Sequence, residues 1–525
     1  MQSQMVHNFG KVPQADIQRS TFDRSASYKT VFNAGVLVPI FWDIAYPGDT
    51  FNMNMTVFAR LATPIKPFMD NLRLESFWFS VPIRLLWSHW QNFCGEQVNP
   101  TDTTVYTVPQ ATFGTGGVGL NKIADYLGLP IGKPGLSVMA FPFRAYLKCF
   151  DEWFRDQNLQ SSVFPAYGTG DGPDVYEAGG ELLRRCKRPD YFTSALPWPQ
   201  KGTAPALQTA SVAPVVSTGG RIAFKPFAGG NDRDVSLFPG GTVTYANPLS
   251  TADLAAWGAE TGLQANIQLS SPVTINEFRQ AFQIQRLLER DARSGTRYKE
   301  VIKAHFGVDH PDLNWRPEYL GGGTSYVNVH PLAQTSGSPA DTGYTDTPQG
   351  NLAAFGTVSG SNHGFSKSFT EHCIVLGMVQ VNADLSYQQG VERQWSYKTR
   401  YDFYWPVLSH LGEQPIYNKE IYFQGNETDD GIFGYQERYA EAKYRNSLVT
   451  AQMKSDAGTS LDIWHLAQDF SALPVLNDSF IQDNPPIERV IAVPEEKHFI
   501  LDAFFKLRCA RPMPLYSVPG MVDHF

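Results

Sequence analysis

Two runs of strict alternation, one near each end of the sequence, constrain the fold more than anything between them. Phe51, Met53, Met55, Val57, Ala59 and Leu61 alternate with Asn52, Asn54, Thr56, Phe58 and Arg60. Phe499, Leu501, Ala503, Phe505 and Leu507 line up in the same way near the other end. A period of two places apolar side chains on one face of an extended chain, so both runs read as half-buried β-strands. Residues 31–46, closed by the Pro47-Gly48 turn, and residues 72–81 add strands early, and residues 375–385 add one late. If the first strands pair with the last few, the sheets are antiparallel and closed by long-range contacts, with the middle as an excursion. A parallel α/β sheet would need strands and helices to alternate along the whole chain.

That middle reads as helical. Phe143, Tyr146, Leu147, Phe150, Trp153 and Phe154 recur at helical spacing after Pro142, which predicts a helix with one broad aromatic face. Thr274 and Glu277 are spaced as a capping box, opening a helix that carries Phe278, Ala281, Phe282 and Leu288 inward. After Ser294-Gly295, Tyr298, Val301, Ile302, His305 and Phe306 predict a second helix ending at Gly307. The outer faces mix both signs, with Arg286, Arg290, Arg293 and Arg297 among Glu289, Asp291 and Glu300. Such a surface suits charge matching with another protein, and these four arginines are candidate inter-subunit contacts.

The reading divides the chain into a polar arm (1–30), first strands (31–82), inserted helices and loops (83–200), a charge-poor insertion (201–272), a helical pair followed by a long Ser/Thr/Gly/Pro loop (273–366), and the remaining strands with a tail (367–525). Glycine (44 residues), proline (36) and 13% aromatic residues against 18% charge favour strands and ordered loops over helical bundles. The fold expected is mainly β, an antiparallel sandwich with large helical and loop insertions. A net charge of −8 argues against a chain whose main work is gripping phosphates. Five scattered cysteines without a C-x-x-C pair indicate neither a zinc site nor a disulfide framework, and no secretory signal or bilayer-spanning run is visible. A soluble protein kept in a cytoplasm is expected.

No motif points to catalysis, a cofactor or a metal. Gly114-x-Gly116-x-x-Gly119 matches the dinucleotide spacing, but Pro109 interrupts the preceding strand and the ribose-binding acid is missing, so it reads as a plain glycine loop. Glu371, His372 and Cys373 are adjacent in a strand and point to opposite faces. The densest basic cluster, Arg184, Arg185, Lys187 and Arg188, precedes Tyr191, Phe192 and Trp198. Cations beside aromatics suit single-stranded nucleic acid, although inter-subunit ion pairs are the favoured reading. Lys506, Arg508 and Arg511 form a similar candidate.

Four stretches carry a resemblance: FDEWFRDQNLQ from Phe150, RRCKRPDYFTSALPWPQKG from Arg184, ERDARSGTRYKEVIKAHFGV from Glu289 with RPEYLGGG, and FGYQERYAEAKYR from Phe433. In consistent order along nearly the whole chain, they resemble the major capsid proteins of the Microviridae, small single-stranded DNA bacteriophages, and especially the gokushovirus group. The resemblance implies an eight-stranded viral jelly roll in a T=1 icosahedral shell around circular single-stranded DNA. It further implies that an insertion, assigned here to about 201–272, protrudes at the three-fold axes. Implied partners are other copies of the chain, an internal scaffolding protein, a small basic DNA-associated protein, a pilot protein and a host surface receptor that could be a glycan. The implied location is the virion capsid, assembled in the bacterial cytoplasm. The alternative from the residues is a β-sandwich carbohydrate-binding protein or glycoside hydrolase, for which no carboxylate pair can be nominated.

Overall fold

A computed structural model of the chain describes residues 18–99, 101, 104–164, 168–205, 275–308, 315–340 and 346–516, together with short strands between 215 and 265. The chain divides into a larger unit, Met1–Pro199 with Ser294–Phe525, and a smaller one, Gln200–Arg293.

The larger unit is built on eight strands: β1 (Ala26–Phe32), β2 (Val38–Ala45), β3 (Thr50–Leu61), β4 (Leu72–Pro82), β5 (Glu318–Tyr326), β6 (Leu352–Ser368), β7 (Cys373–Ala383) and β8 (Phe499–Arg511). One sheet runs β1-β8-β3-β6, with Ser20–Asp23 also paired to β8 and Asn328–Ala333 at the far edge. The other runs β5-β4-β7-β2. Every pairing within the two is antiparallel. The first long strand therefore lies beside the last.

The alternation read from the sequence is what the fold uses. In β3 and β8 the apolar set is buried and the intervening residues are mostly exposed. The two dry faces meet around Trp78, whose ring centroid lies 5.5 Å from Phe41, 5.6 Å from Phe365 and 5.9 Å from Phe505. Its indole N–H donates to the His363 carbonyl at 3.1 Å across the sandwich. Each such fully buried side chain contributes roughly 1.5–3 kcal/mol relative to exposure.

The second sheet is dry on both faces, which is why β7 is buried at every position. Its far side, with Phe79, Ile374, Leu376 and Met378, packs on helix α1 (Phe141–Cys149) and the π-helical turn Phe150–Phe154 that continues it. Pro142 occupies the first helical turn as expected. The Tyr146 hydroxyl, within this core, donates to the Leu37 carbonyl at 2.8 Å and accepts the Leu183 N–H at 3.0 Å.

Helices α2 (Ile275–Ser294) and α3 (Tyr298–Phe306) fall as expected, and α3 ends on Gly307 in the left-handed region at φ 72°. Thr274, the expected cap of α2, lies outside the described residues. In the smaller unit, Val243–Tyr245, Arg233–Leu237, Ala223–Pro226 and Ala255–Trp257 form one antiparallel sheet in that order, and Leu263–Ala265 pairs with Val215–Ser217.

Two expectations need correction. The tract 324–365, read as a long loop, contains the end of β5, the edge strand Asn328–Ala333 and most of β6. Glycine and serine hide this strand pair because their packing role is to be small. A Cβ at Gly364 would sit 2.0 Å from the Met53 carbonyl oxygen, and one at Gly356 would sit 2.8 Å from the Leu61 side chain. The polar arm, read as 1–30, is already strand from Ser20, because its outward residues Ser27 and Lys29 dilute the alternation of Tyr28, Thr30 and Phe32.

Candidate assembly and nucleic-acid surfaces

The basic cluster at 184–188 straps the end of the second sheet, with bridges from Arg184 to Val36 and from Cys186 to Gln482. Glu75 of β4 is buried there. It accepts Arg185 at 2.7 Å, Arg188, and the Asn382 amide at 2.7 Å. Arg184 donates to the carbonyls of Ala34 at 3.3 Å and Asp483 at 3.2 Å. Lys187 is buried against the Phe480 ring at 4.4 Å. Burial pushes the Lys187 ammonium down to about 8 and the neighbouring Asp483 carboxyl up to about 7, each against the attraction of the other. These four cations meet partners from their own chain.

The C-terminal candidates separate. Arg511 is buried, 3.3 Å from Asp49 and 3.6 Å from Asp43, with its guanidinium over Tyr46 and Phe51 at 5.3 Å. Lys506 and Arg508 stand on the wet face of β8, opposite Asn54 and Asn52 of β3, and neither makes an ion pair within the described residues. The register places Arg60, Phe58 and Thr56 further along the same face, and Lys29 beyond β8 on β1.

On α2, Arg286, Arg290 and Arg293 are exposed. So is much of its apolar set: Phe278 is 53% exposed, Phe282 60%, Ile284 42% and Leu287 52%. Phe278 and Phe282, expected to point inward, are more than half exposed instead. Arg297 precedes α3 and is spent internally, donating to the Asp151 carbonyl at 2.8 Å and pairing with Glu300 at 3.1 Å and Glu152 at 3.3 Å.

Sequence reasoning missed a pair of carboxylates, Glu420 and Glu441, that line a cavity of about 170 Å³ with Tyr191, Tyr387 and Arg393. Burial raises the Glu420 carboxyl above its ordinary value. Glu420 accepts the Tyr191 hydroxyl at 2.8 Å, the Tyr417 N–H at 2.9 Å and Arg393 at 3.0 Å, while Glu441 accepts Tyr397 at 2.8 Å and Gln414 at 2.6 Å. With all four oxygens already engaged, this is a structural knot and offers no acid-nucleophile pair. Only pairing distant in sequence creates it, so no local signal could have found it.

The other motifs are also absorbed by the fold. Glu371 forms a two-pronged pair with Arg84 at 2.8 and 3.2 Å, and burial pushes the Cys373 thiol up to about 12. The Glu177 carboxylate sits where a Cβ of Gly114 would be, at 2.7 Å, which opposes a phosphate at that loop. Among the described residues no group of three His, Cys, Asp or Glu side chains could hold a metal ion.

A two-sheet sandwich with long excursions, exposed apolar side chains on α2 and internally paired polar clusters is the make-up of a structural subunit. The class is that of virion shell proteins. The chain belongs to the capsid protein (F protein) family, which it matches over residues 10–521. It is 44% identical to the capsid protein VP1 of Bdellovibrio phage phiMH2K, over 99% of this chain and 98% of that one. Identity to the capsid protein VP1 of Chlamydia phage 1 is 41% over the same shares, and to that of Spiroplasma virus 4 it is 33% over 98% of both. These relatives are structural proteins of gokushoviruses, so the chain is a major capsid protein of the virion and not an enzyme.

Proposed function

We propose that the chain occupies one position per asymmetric unit of a T=1 icosahedral shell that encloses circular single-stranded DNA, and that its sandwich is a viral jelly roll. Strand order supports the latter, since β1 lies beside β8 and most successive strands cross from one sheet to the other. The observation that carries the shell reading is the uncovered apolar set on α2. Exposed patches of this kind mark association sites, and a closed shell offers several symmetry-distinct neighbours to cover them. Arg286 and Arg290 would then set the pairing by charge, with Arg297 kept to its internal role.

In this reading the segment 201–272 protrudes at the three-fold axes and meets a host surface receptor, with glycans one class of target. Assembly engages an internal scaffolding protein, and the finished particle holds a small basic DNA-associated protein and a pilot protein. An acidic chain of net charge −8 fits that division, because part of the genome's charge is neutralised by another protein. Electron microscopy of particles recovered with this protein, combined with nuclease protection, tests the proposal. Uniform shells with protected single-stranded DNA are expected. A chain that stays monomeric when co-expressed with its neighbouring phage proteins would overturn it.

A further inference from the structure

The wet face of the β1-β8-β3-β6 sheet sets exposed cations beside exposed aromatic rings. Across its register stand Lys29, Arg60, Lys506 and Arg508, with Arg19 donating to the Thr50 hydroxyl at 3.0 Å, opposed by the carboxylates Asp23 and Asp502. Asp502 is engaged by Lys29 at 3.2 Å, and Asp23 accepts the Ser25 N–H at 3.0 Å. The face is therefore net cationic on an acidic chain. Between the cations lie Asn52, Asn54 and Thr56, and two aromatic rings project into solvent, Phe58 at 52% and Phe504 at 49% exposure.

At one end the face deepens into a groove of about 760 Å³, walled by Val31, Phe58, Arg60, Leu120, Asn121 and Ile500. That volume lies within the range of small-molecule sites. Asp125 borders it, with one carboxylate oxygen accepting the Asn121 N–H at 2.8 Å. An aromatic floor, an amide and a flanking arginine match what a nucleotide presents: a π-face, hydrogen-bonding edges and a phosphate.

We infer that this sheet face is a lumenal platform for single-stranded DNA, on which Lys506 and Arg508 track phosphates while Phe504 and Phe58 stack bases, with one nucleotide seated in the groove. Single-stranded nucleic acid is bound without sequence preference where cations follow the backbone and exposed rings accept any base. Duplex DNA is disfavoured because its bases are not free to stack on the rings. The inference rests on the shell reading for the meaning of lumenal; the binding itself does not.

The test uses the full-length protein and a labelled oligothymidylate, with binding followed by anisotropy over a salt series. The double variant Lys506→Gln/Arg508→Gln is expected to flatten the slope of log affinity against log salt by about 1.4, the loss of two contacts at about 0.7 each. Phe58→Ser is expected to weaken binding roughly tenfold with the slope unchanged. Lys133→Gln/Lys454→Gln, both exposed and outside that face, is expected to change neither. Unchanged slope and affinity in the first two variants, or an equal loss in the third, would overturn the proposal. All these side chains are exposed, and matching melting curves confirm folding; Arg60→Gln alone supplies a milder variant with the same expected direction. Particle counts distinguish the two readings: variants that lose particles while keeping oligothymidylate affinity would identify the face as a contact between copies and overturn the platform. Failure of the wild-type chain to form shells would remove the shell reading and leave the binding result standing.

Discussion

Glu75 determines the role of the basic residues at 184–188. One buried carboxylate is shared by Arg185 and Arg188, so removing it strands two partly buried cations. Glu75→Gln is expected to destabilise the protein by about 3 kcal/mol, read from chemical denaturation. His498 contributes one pH-dependent part of the stability, whose sign follows from its surroundings. Its ring is buried and its Nδ1 accepts the Ala34 N–H at 3.1 Å, a bond that requires the neutral form. Burial, helped by Arg184 and Lys497, holds its pKa down to about 4 against an unfolded value near 6.5. Between those values the unfolded chain binds a proton that the folded one refuses. The His498 contribution to stability is therefore complete above pH 6.5 and is lost as pH drops towards 4, by about 3 kcal/mol. Asp483, its carboxyl raised to about 7, acts in the opposite direction over the same range, so the check is the difference in melting temperature between the wild type and His498→Asn, which is expected to be largest at pH 7 and to narrow by pH 4.5.

Among the elements, α1 depends on a charge that its aromatic pattern conceals. Arg144 has no exposed surface, donates twice to Asp174 at 2.7 Å, and satisfies the Leu86 and Gly170 carbonyls at 2.9 and 2.8 Å. Asp174→Ala is expected to cost about 3–5 kcal/mol, measurable by thermal or denaturant unfolding, because it leaves that guanidinium buried and unpaired. For α2 the expected outcome is the reverse. Leu287→Asp or Arg290→Glu is expected to reduce particle yield while leaving the melting temperature of the subunit nearly unchanged, since both side chains are exposed within the chain. Equal yields would remove α2 from the contacts between copies. The elements legible in the sequence, β3 and β8, are those with one dry face and one wet one. In β5 the close approach of Gly322 to Ser76 requires a missing side chain, and a strand built that way carries no hydrophobic signal.

At the scale of the molecule, the sandwich was legible because its strands bracket the chain, but the candidate site was legible only in part. Local composition assembles Arg184, Arg185, Lys187 and Arg188 into a nucleic-acid signal, and only the long-range pairing that brings Glu75 and Asp483 to them reveals their internal role. Lys506 and Arg508 gave a fainter signal and are the ones left facing solvent. The neighbour relation between β1, β8 and β3 has one more consequence. The strand at the centre of that trio is synthesised about 440 residues after β3, which at ~5–20 residues per second means a wait of roughly 20–90 s. Throughout translation β3 presents an open hydrogen-bonding edge, and the contacts that close it have high sequence separation, the slowest kind to form. A growing chain is thus kept from becoming a shell-competent subunit until its last strand has left the ribosome, and nascent chains crowded on one message share an edge by which they could pair wrongly.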